Sequence, residues 1–269
     1  MRRRLLLYAV IAFALYAVLV VAVYLQQDLL VFPGAGRGLR PLDVSGVTTG
    51  ELKGLDDQPF RIVECVPDRP RAVVVHFVGN GEDLCSAART VAEMAKFGVA
   101  VVSPEYPGYG GSRGRPSVAS LLRVAEVTTA HGATMAESLG VPLIASGLSL
   151  GTFSAVHVAS QGKVAKCVLR APATSIADVA SRQFWWLPVR MLLRHAFDNT
   201  EAAKKVTCPV LVLHGDADQV IPLEIGKRLG EMFAGPTEFV VLPRVGHNDL
   251  SLTPQNEAGR RFAAFLAAK

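Results

Sequence analysis

The chain has 269 residues, enough for one large domain with a substantial core, and half of them are apolar. The formal net charge is +5, but no basic run occurs outside the N-terminus, which argues against a nucleic-acid partner. The four cysteines lack metal-ligand spacing, so neither a metal nor a cofactor is expected.

An uncharged apolar stretch fills residues 5–25 and follows Arg2, Arg3 and Arg4. As a helix it would reach about 31 Å, enough to cross the hydrocarbon core of a membrane. It is longer than the apolar core of a signal peptide and is not followed by a clear Ala-x-Ala cleavage site. Residues 1–26 are therefore predicted to be an uncleaved signal anchor. The arginines would stay cytoplasmic and the rest of the chain would lie in a periplasm or lumen, a single-pass arrangement. Secretion after signal cleavage is the alternative.

Residues 27–46 contain a proline- and glycine-rich segment and are predicted to be a linker. Residues 47–66 indicate a strand pair around a turn at 56–59. From residue 72 onward, strands alternate with helices. The predicted strands are 72–78, 99–103, 141–146, 167–170, 210–214 and 239–242, and the predicted helices are 84–97, 118–139, 150–161, 223–233 and 256–267. Continuous apolar strands between helices indicate a parallel sheet covered on both faces. One α/β domain is therefore expected over residues 47–269, with an insertion at about 176–205.

The run Gly147-Leu148-Ser149-Leu150-Gly151 follows the predicted strand 141–146. This G-x-S-x-G pattern is typical of a serine on a sharp strand-to-helix turn, where a Cβ at either glycine would clash with neighbouring backbone. A serine hydroxyl needs an adjacent base, and the base needs an orienting acid, before it can act as a nucleophile.

Two later residues could supply that base and acid. Asp218 follows the strand 210–214, and His247 lies between the last strand and the last helix. The carboxyl ends of parallel strands share one edge of a sheet, so we predict that Ser149, Asp218 and His247 meet there as nucleophile, acid and base. Asp216 is the rival acid, although beside Gly215 it is more typical of a turn cap.

The oxyanion of an acyl-transfer intermediate requires two N–H donors. We predict that one is the N–H of Leu150, at the N-terminus of a helix. The other is expected from Asn80, in the loop Gly79-Asn80-Gly81 after the strand 72–78. The alternative is that this loop is a simple turn.

Four residues are weaker candidates for a substrate pocket. Tyr106 and Tyr109 lie in a glycine-containing loop after the strand 99–103 and are equally suited to structural packing. Trp185 and Leu192 lie in the apolar insertion, which is predicted to line an acyl pocket or to lean on a membrane. The alternative is a helix packed on the sheet.

Together these motifs resemble the α/β-hydrolase family. The likeness is closest to the single-span, membrane-anchored serine hydrolases related to the acyl-protein thioesterase-like depalmitoylases of eukaryotes. It covers nearly the whole chain, including the anchor with residues 27–33, the 79–82 loop, the Ser149 turn, residues 214–222 and Gly246-His247. The family commonly has His-Gly before the oxyanion-loop asparagine, whereas Val78 occupies that histidine position here. The resemblance implies an α/β-hydrolase fold with a mostly parallel central sheet, helices on both faces and a small lid insertion.

The expected function is hydrolysis of a carboxylic ester or thioester, on a small-molecule or acylated substrate, through a covalent acyl-enzyme. A serine peptidase or aminopeptidase of the same fold is one alternative, and a non-catalytic anchored binding module is another. The oligomeric state is left open. The cysteines are expected to be free thiols, with a Cys167–Cys208 disulfide as the alternative in an oxidising compartment.

Overall fold

The computed structural model describes residues 1–268, with the backbone alone for Leu55. Lys269, the predicted end of the α/β domain, lies outside the described residues. The strands are β1 Thr48–Lys53, β2 Pro59–Cys65, β3 Val73–Phe77, β4 Ala100–Pro104, β5 Leu143–Leu148, β6 Lys166–Arg170, β7 Val210–Gly215 and β8 Thr237–Leu242. The helices are α1 Arg2–Leu25, α2 Gln27–Val31, α3 Leu84–Ala95, α4 Val118–Leu139, α5 Gly151–Ala159, α6 Ile176–Gln183, α7 Val189–Leu192, α8 Thr200–Ala203, α9 Leu223–Gly230 and α10 Glu257–Ala267.

The strands form one sheet in the order β1-β2-β4-β3-β5-β6-β7-β8. All neighbours from β4 to β8 pair in parallel, whereas β1 and β2 are antiparallel at one edge. Every residue of β3, β4 and β7 is buried, because helices cover both faces of the sheet. The predicted mostly parallel sheet is confirmed.

The core lies on both faces of this sheet. Val74 of β3 packs in one apolar cluster with α3 and α10, and its neighbours Val73 and Val75 pack in the other with α4 and α5. This alternation follows from the two-residue period of a strand. The sheet is thus a two-sided scaffold whose carboxyl edge carries the loops of the site.

The expected linker differs from the structure over its first residues. Residues 27–31 form α2, and Phe32 is fully buried. The Phe32 ring packs edge-on against His195, at 4.8 Å between centroids, and against Phe197. Burial of an apolar side chain such as Phe32 lowers the free energy relative to its exposure to water. The segment therefore packs against the domain and does not form a free linker here.

Helix α1 is long and apolar enough, by length and composition, to cross a membrane, and none of its residues is buried. Its position near the N-terminus also suits a signal sequence. The four cysteines are free thiols, although Cys167 lies on β6 next to β7, which Cys208 precedes. Burial raises the pKa of the Cys167 thiol well above its ordinary value.

Candidate active site

Ser149 lies on a tight turn between β5 and α5. Its φ is +50°, a left-handed conformation that non-glycine residues rarely adopt. A Cβ at Gly147 would come within 2.5 Å of the Gly151 carbonyl oxygen, and one at Gly151 within 2.0 Å of the Phe77 carbonyl oxygen. The glycines are therefore required by close backbone approach, and the turn presents the Ser149 hydroxyl at the carboxyl edge of the sheet.

The structure brings Ser149, His247 and Asp218 into one hydrogen-bonded line. His247 Nε2 lies 3.0 Å from Ser149 Oγ, and His247 Nδ1 lies 2.7 Å from Asp218 Oδ2. Both distances fall within hydrogen-bond reach of a nucleophile, a base and an orienting acid. The Asp218 side chain is fully buried, and that of His247 is 12% exposed.

The backbone holds Asp218 in its ionised form. Its Oδ1 accepts hydrogen bonds of 2.8 Å from the N–H groups of Val220 and Ile221, which leaves Oδ2 for His247. Burial works to raise the pKa of this carboxyl, but the hydrogen bonds from His247, Ile221 and Val220 outweigh it and hold the pKa below its ordinary value.

Asp216 is not part of this hydrogen-bonded line. Its Oδ1 accepts a hydrogen bond of 2.6 Å from the N–H of Arg244, a residue with a φ of +61°. A Cβ at Gly215 would come within 2.0 Å of the Val245 carbonyl oxygen, so the loops after β7 and β8 touch at this glycine. The Asp216 side chain ties these two loops together, and the Asp218 side chain faces the histidine.

Two N–H groups adjoin Ser149 without an acceptor. Leu150 precedes α5 and Asn80 follows β3, and the two residues share the wall of one cavity with Ser149. Among the hydrogen bonds of residues 1–268, neither the Leu150 N–H nor the Asn80 N–H donates to a protein acceptor. Glu82 Oε2 accepts a bond of 2.6 Å from the Gly79 N–H, which turns the chain at this loop. Free donors near a serine hydroxyl suit a developing oxyanion.

The cavity above Ser149 has a volume of about 200 Å³ and an almost wholly apolar wall. Its lining comes from four parts of the chain: the end of α1 with α2, the residues around Asn80 and Ser149, the segment 173–193, and residues 220–221 after β7. Gln27, Asn80, Gln183 and Ser149 are its polar lining residues, and none of the described lining residues is charged. The site therefore favours an uncharged, apolar group beside the serine.

Of the four residues predicted to line a substrate pocket, the structure places one in the cavity wall and three outside it. Leu192 lines the cavity as expected. Trp185 does not line the cavity, and its side chain is 81% exposed. Tyr106 and Tyr109 are buried beneath the site, where their hydroxyls donate bonds of 2.8 Å to the carbonyls of Val78 and Asn80. The two tyrosines thus correct the pocket expectation: Tyr109 braces the loop that carries Asn80, and Tyr106 bonds Val78, the residue that follows β3.

Tyr109→Phe tests this brace. If the Asn80 N–H binds the oxyanion, loss of the hydroxyl should free the loop and lower kcat for ester hydrolysis by up to about tenfold, less than the loss of a whole donor. The free energy of unfolding should fall by about 1 kcal/mol. Steady-state kinetics and urea denaturation measure both effects.

Tyr106→Phe is the matched control, since it removes a bond to Val78 at the end of β3 and should cost stability without the same fall in kcat. Equal kcat values in the two variants and the wild type would contradict the brace.

Arg170 is a buried charge that the sequence pattern did not single out. Its Nη1 donates a bond of 2.8 Å to the Leu250 carbonyl, its Nη2 lies 3.1 Å from His76 Nε2, and its own carbonyl accepts from the Ser149 N–H at 2.9 Å. Burial lowers its pKa to about 10, so it remains charged at neutral pH. Arg170 thereby links the Ser149 turn with the segment after His247. His76 also lies here, fully buried and away from the cavity.

No group of three or more metal-ligating side chains is found among the described residues. His214 is fully buried, and its Nε2 lies 2.8 Å from the Ile221 carbonyl oxygen.

Several known proteins are similar to this chain in sequence or in fold. A sequence profile described as serine aminopeptidase, in the Hydrolase_4 group, matches residues 68–197. An uncharacterised protein of Mycobacterium tuberculosis is 36% identical over 187 residues, which are 68% of this chain and 66% of that protein. The human alpha/beta hydrolase domain-containing protein 17B is 32% identical over 155 residues, or 58% of this chain and 52% of that protein. The chain thus spans between about half and two thirds of these relatives.

A solved structure of esterase 2 from Thermogutta terrifontis superposes with a TM-score of 0.62 at 19% identity, covering 84% of this chain and 95% of the esterase. At this identity the match shows the fold alone. The fold, the sequence profile and the relatives together support a hydrolase enzyme. This chain has the α/β-hydrolase fold, and its sequence is similar to those of α/β-hydrolase proteins.

Proposed function

We propose that the protein is a serine hydrolase that cleaves a carboxylic ester or thioester with an apolar acyl group. The observation that carries this proposal is the apolar cavity lined by Ser149, whose hydroxyl is in hydrogen-bond reach of His247, which in turn bonds Asp218. An uncharged wall favours an acyl chain, and the hydrogen-bonded line favours acyl transfer.

In the proposed reaction, Ser149 Oγ attacks the acyl carbonyl while His247 Nε2 takes the hydroxyl proton. Asp218 accepts the hydrogen bond from His247 Nδ1 and stabilises the imidazolium. The N–H groups of Leu150 and Asn80 bind the oxyanion. The intermediate collapses to an acyl-serine, and His247 returns its proton to the leaving alcohol or thiol. Water, activated by His247, then attacks the acyl-serine and releases the carboxylic acid.

The serine aminopeptidase profile favours a second candidate, cleavage of an N-terminal peptide bond. An aminopeptidase must hold a substrate ammonium group, for which a carboxylate is the natural partner. None of the described residues in the cavity wall is acidic. The wall therefore favours the ester or thioester reaction over the peptidase reaction.

The proposed location is a membrane, with α1 as a single-span anchor, the arginines at its start in the cytoplasm and the α/β domain on the far side. The length and composition of Arg2–Leu25 support a span. The insertion 176–205, which comprises α6, α7 and α8, is proposed to act as the lid, and we call it the cap segment. Recovery of the full-length chain in alkali-washed membranes would support the anchor, and a mature protein that lacks α1 would support secretion instead.

A substrate panel separates the two reactions. Full-length protein in detergent micelles should hydrolyse acyl nitrophenyl esters and acyl thioesters, and turnover should rise from butyryl to longer chains, because each methylene adds about 0.8 kcal/mol of apolar burial. Aminoacyl-amides of matched size should be cleaved at least about 100-fold more slowly, since the wall offers the ammonium group no carboxylate. Higher kcat/KM on the aminoacyl-amides would replace the proposal with the peptidase reaction.

A further inference from the structure

The N-terminal helices form part of the wall of the cavity that contains Ser149. Val23 of α1 and Gln27, Leu30 and Val31 of α2 line it together with the cap segment. Leu30 is 51% exposed although it lines the cavity, so it lies at the rim. The cavity therefore reaches the surface beside the C-terminal end of α1, where the chain passes into α2.

Hydrogen bonds join α2 to the cap segment at this rim. Gln27 is buried, and its amide donates to the Leu192 carbonyl at 2.7 Å and accepts from the Arg194 N–H at 2.9 Å. Asp28 Oδ1 lies 3.0 Å from Arg194 Nη2 and 2.7 Å from His195 Nε2. A buried amide with both ends bonded fixes its partners in place. The helix and the cap segment are thus held together as the two sides of one opening.

The cap segment extends back along α1. The Tyr16 hydroxyl donates a bond of 2.9 Å to the Trp186 carbonyl. Tyr16 lies nine residues before the end of α1, a rise of about 14 Å along the helix. Trp185 is 81% exposed and Met191 is 87% exposed on the same part of the cap segment. Its tip, residues 184–191, is apolar apart from Arg190, whose guanidinium hydrogen-bonds to the Asp178 carboxylate. This tip therefore lies beside the apolar length of α1 and not beyond its end.

We propose that this tip inserts into the bilayer beside α1, and that the acyl chain of a membrane-embedded ester or thioester passes directly from the bilayer to Ser149 between α2 and the cap segment. This inference rests on the proposed function. Apolar side chains exposed next to a membrane-spanning helix gain free energy from burial in lipid. The bond from Tyr16 satisfies the Trp186 carbonyl, which would otherwise be costly to bury in hydrocarbon.

The size of the cavity agrees with entry from the membrane. Its volume of about 200 Å³ is below the roughly 300–1,000 Å³ of a cleft that encloses a whole ligand. A long acyl chain would place its carbonyl end beside Ser149 and leave its distal methylenes past Leu30, in the lipid. The substrate class is thus a long-chain acyl group, carried by a lipid ester or by an acylated cysteine.

Tryptophan fluorescence tests the insertion, because the chain contains two tryptophans and they are Trp185 and Trp186. The full-length protein is reconstituted into phosphatidylcholine vesicles with or without brominated acyl chains. We expect quenching by the brominated lipid and little quenching by aqueous iodide. Strong quenching by iodide with none by brominated lipid would place the tip in water and overturn the proposal.

A matched pair of variants tests the route. Leu30→Trp narrows the opening, whereas Leu29→Trp makes the same change at the adjacent residue, which is 66% exposed and outside the cavity wall. The substrates are palmitoylglycerol and an S-palmitoyl peptide, each in vesicles, and soluble nitrophenyl butyrate. The ratio of palmitoyl to butyryl kcat/KM should fall about 10- to 100-fold in Leu30→Trp, as expected for steric change in an apolar pocket, and stay at the wild-type value in Leu29→Trp.

An unchanged ratio in Leu30→Trp would overturn the route. Preference for the lipid or for the peptide identifies which molecule carries the acyl chain, and either result supports the route. Failure of the proposed function looks different, because the wild type would then hydrolyse none of the three substrates and would not react with a fluorophosphonate.

Discussion

Ser149→Ala should lower turnover of acyl esters by about 10⁶-fold and abolish covalent labelling by a fluorophosphonate. The reason is geometric: the Ser149 hydroxyl lies 3.0 Å from His247 Nε2 at the end of the apolar cavity. Labelling followed by intact-protein mass spectrometry measures the loss directly. The folded structure should survive, because the turn depends on the two flanking glycines and not on the hydroxyl.

Ser160→Ala is the matched control, at the C-terminal end of α5, the helix that follows Ser149. The Ser160 hydroxyl bonds the His157 carbonyl and lies outside the cavity wall. This variant should label as fast as the wild type. Equal labelling of Ser149→Ala and the wild type would remove Ser149 as the nucleophile, and no labelling of any variant would favour a non-catalytic binding module.

Asp218→Asn should lower kcat by about 10⁴-fold, with little change in KM. An asparagine can present its amide N–H to His247 Nδ1, and the imidazole then adopts the tautomer that cannot take the serine proton at Nε2. Burial of the Asp218 side chain excludes water as a substitute for the lost charge. Steady-state kinetics on a short-chain nitrophenyl ester measure the effect.

Asp216→Asn is the matched control, two residues away. Its carboxylate bonds the Arg244 N–H, and an amide oxygen can still accept that bond. This variant should keep kcat within about threefold of the wild type and lose at most about 1 kcal/mol of unfolding free energy. A larger loss of kcat in Asp216→Asn than in Asp218→Asn would reassign the acid.

The pKa of Asp218 also sets a pH window for stability. Its folded-state pKa lies below the ordinary value of 3.8, so its contribution to stability is complete above that value and is lost as the pH falls through the folded pKa. The corresponding acid-side loss of stability should be absent in Asp218→Asn, provided that this variant folds.

Local patterns were sufficient for the sheet and for the line of three side chains. Buried strands show as continuous apolar runs, and the glycines around Ser149 are required by close backbone contacts that any sequence with this turn must satisfy. The parallel pairing of the strands followed from the alternation of strands and helices, whereas their order in the sheet did not. Asp218 was preferred to Asp216 because the latter suits a turn cap, and in the structure its carboxylate does bond the loop backbone.

The positions and hydrogen-bond partners of individual side chains were harder to predict, because those partners are distant in sequence. Tyr106 and Tyr109 looked equally suited to a pocket or a core, and the structure places both hydroxyls on backbone carbonyls that arrive from β3. Gln27 appeared to be an ordinary linker residue, yet its amide bonds residues more than 160 positions later. No local pattern encodes such contacts, since both partners become visible only after the chain has folded.

The sequence by itself determined the α/β alternation, the apolar N-terminal helix and the candidate residues Ser149, Asp218 and His247. Short-range periodicity and turn chemistry depend only on residues close in sequence, so both can be identified without knowledge of the fold. Only the tertiary structure decided that α2 and the cap segment meet over Ser149 and that their shared wall is uncharged. A cavity is a property of surfaces brought together from distant parts of the chain, and its shape follows from packing.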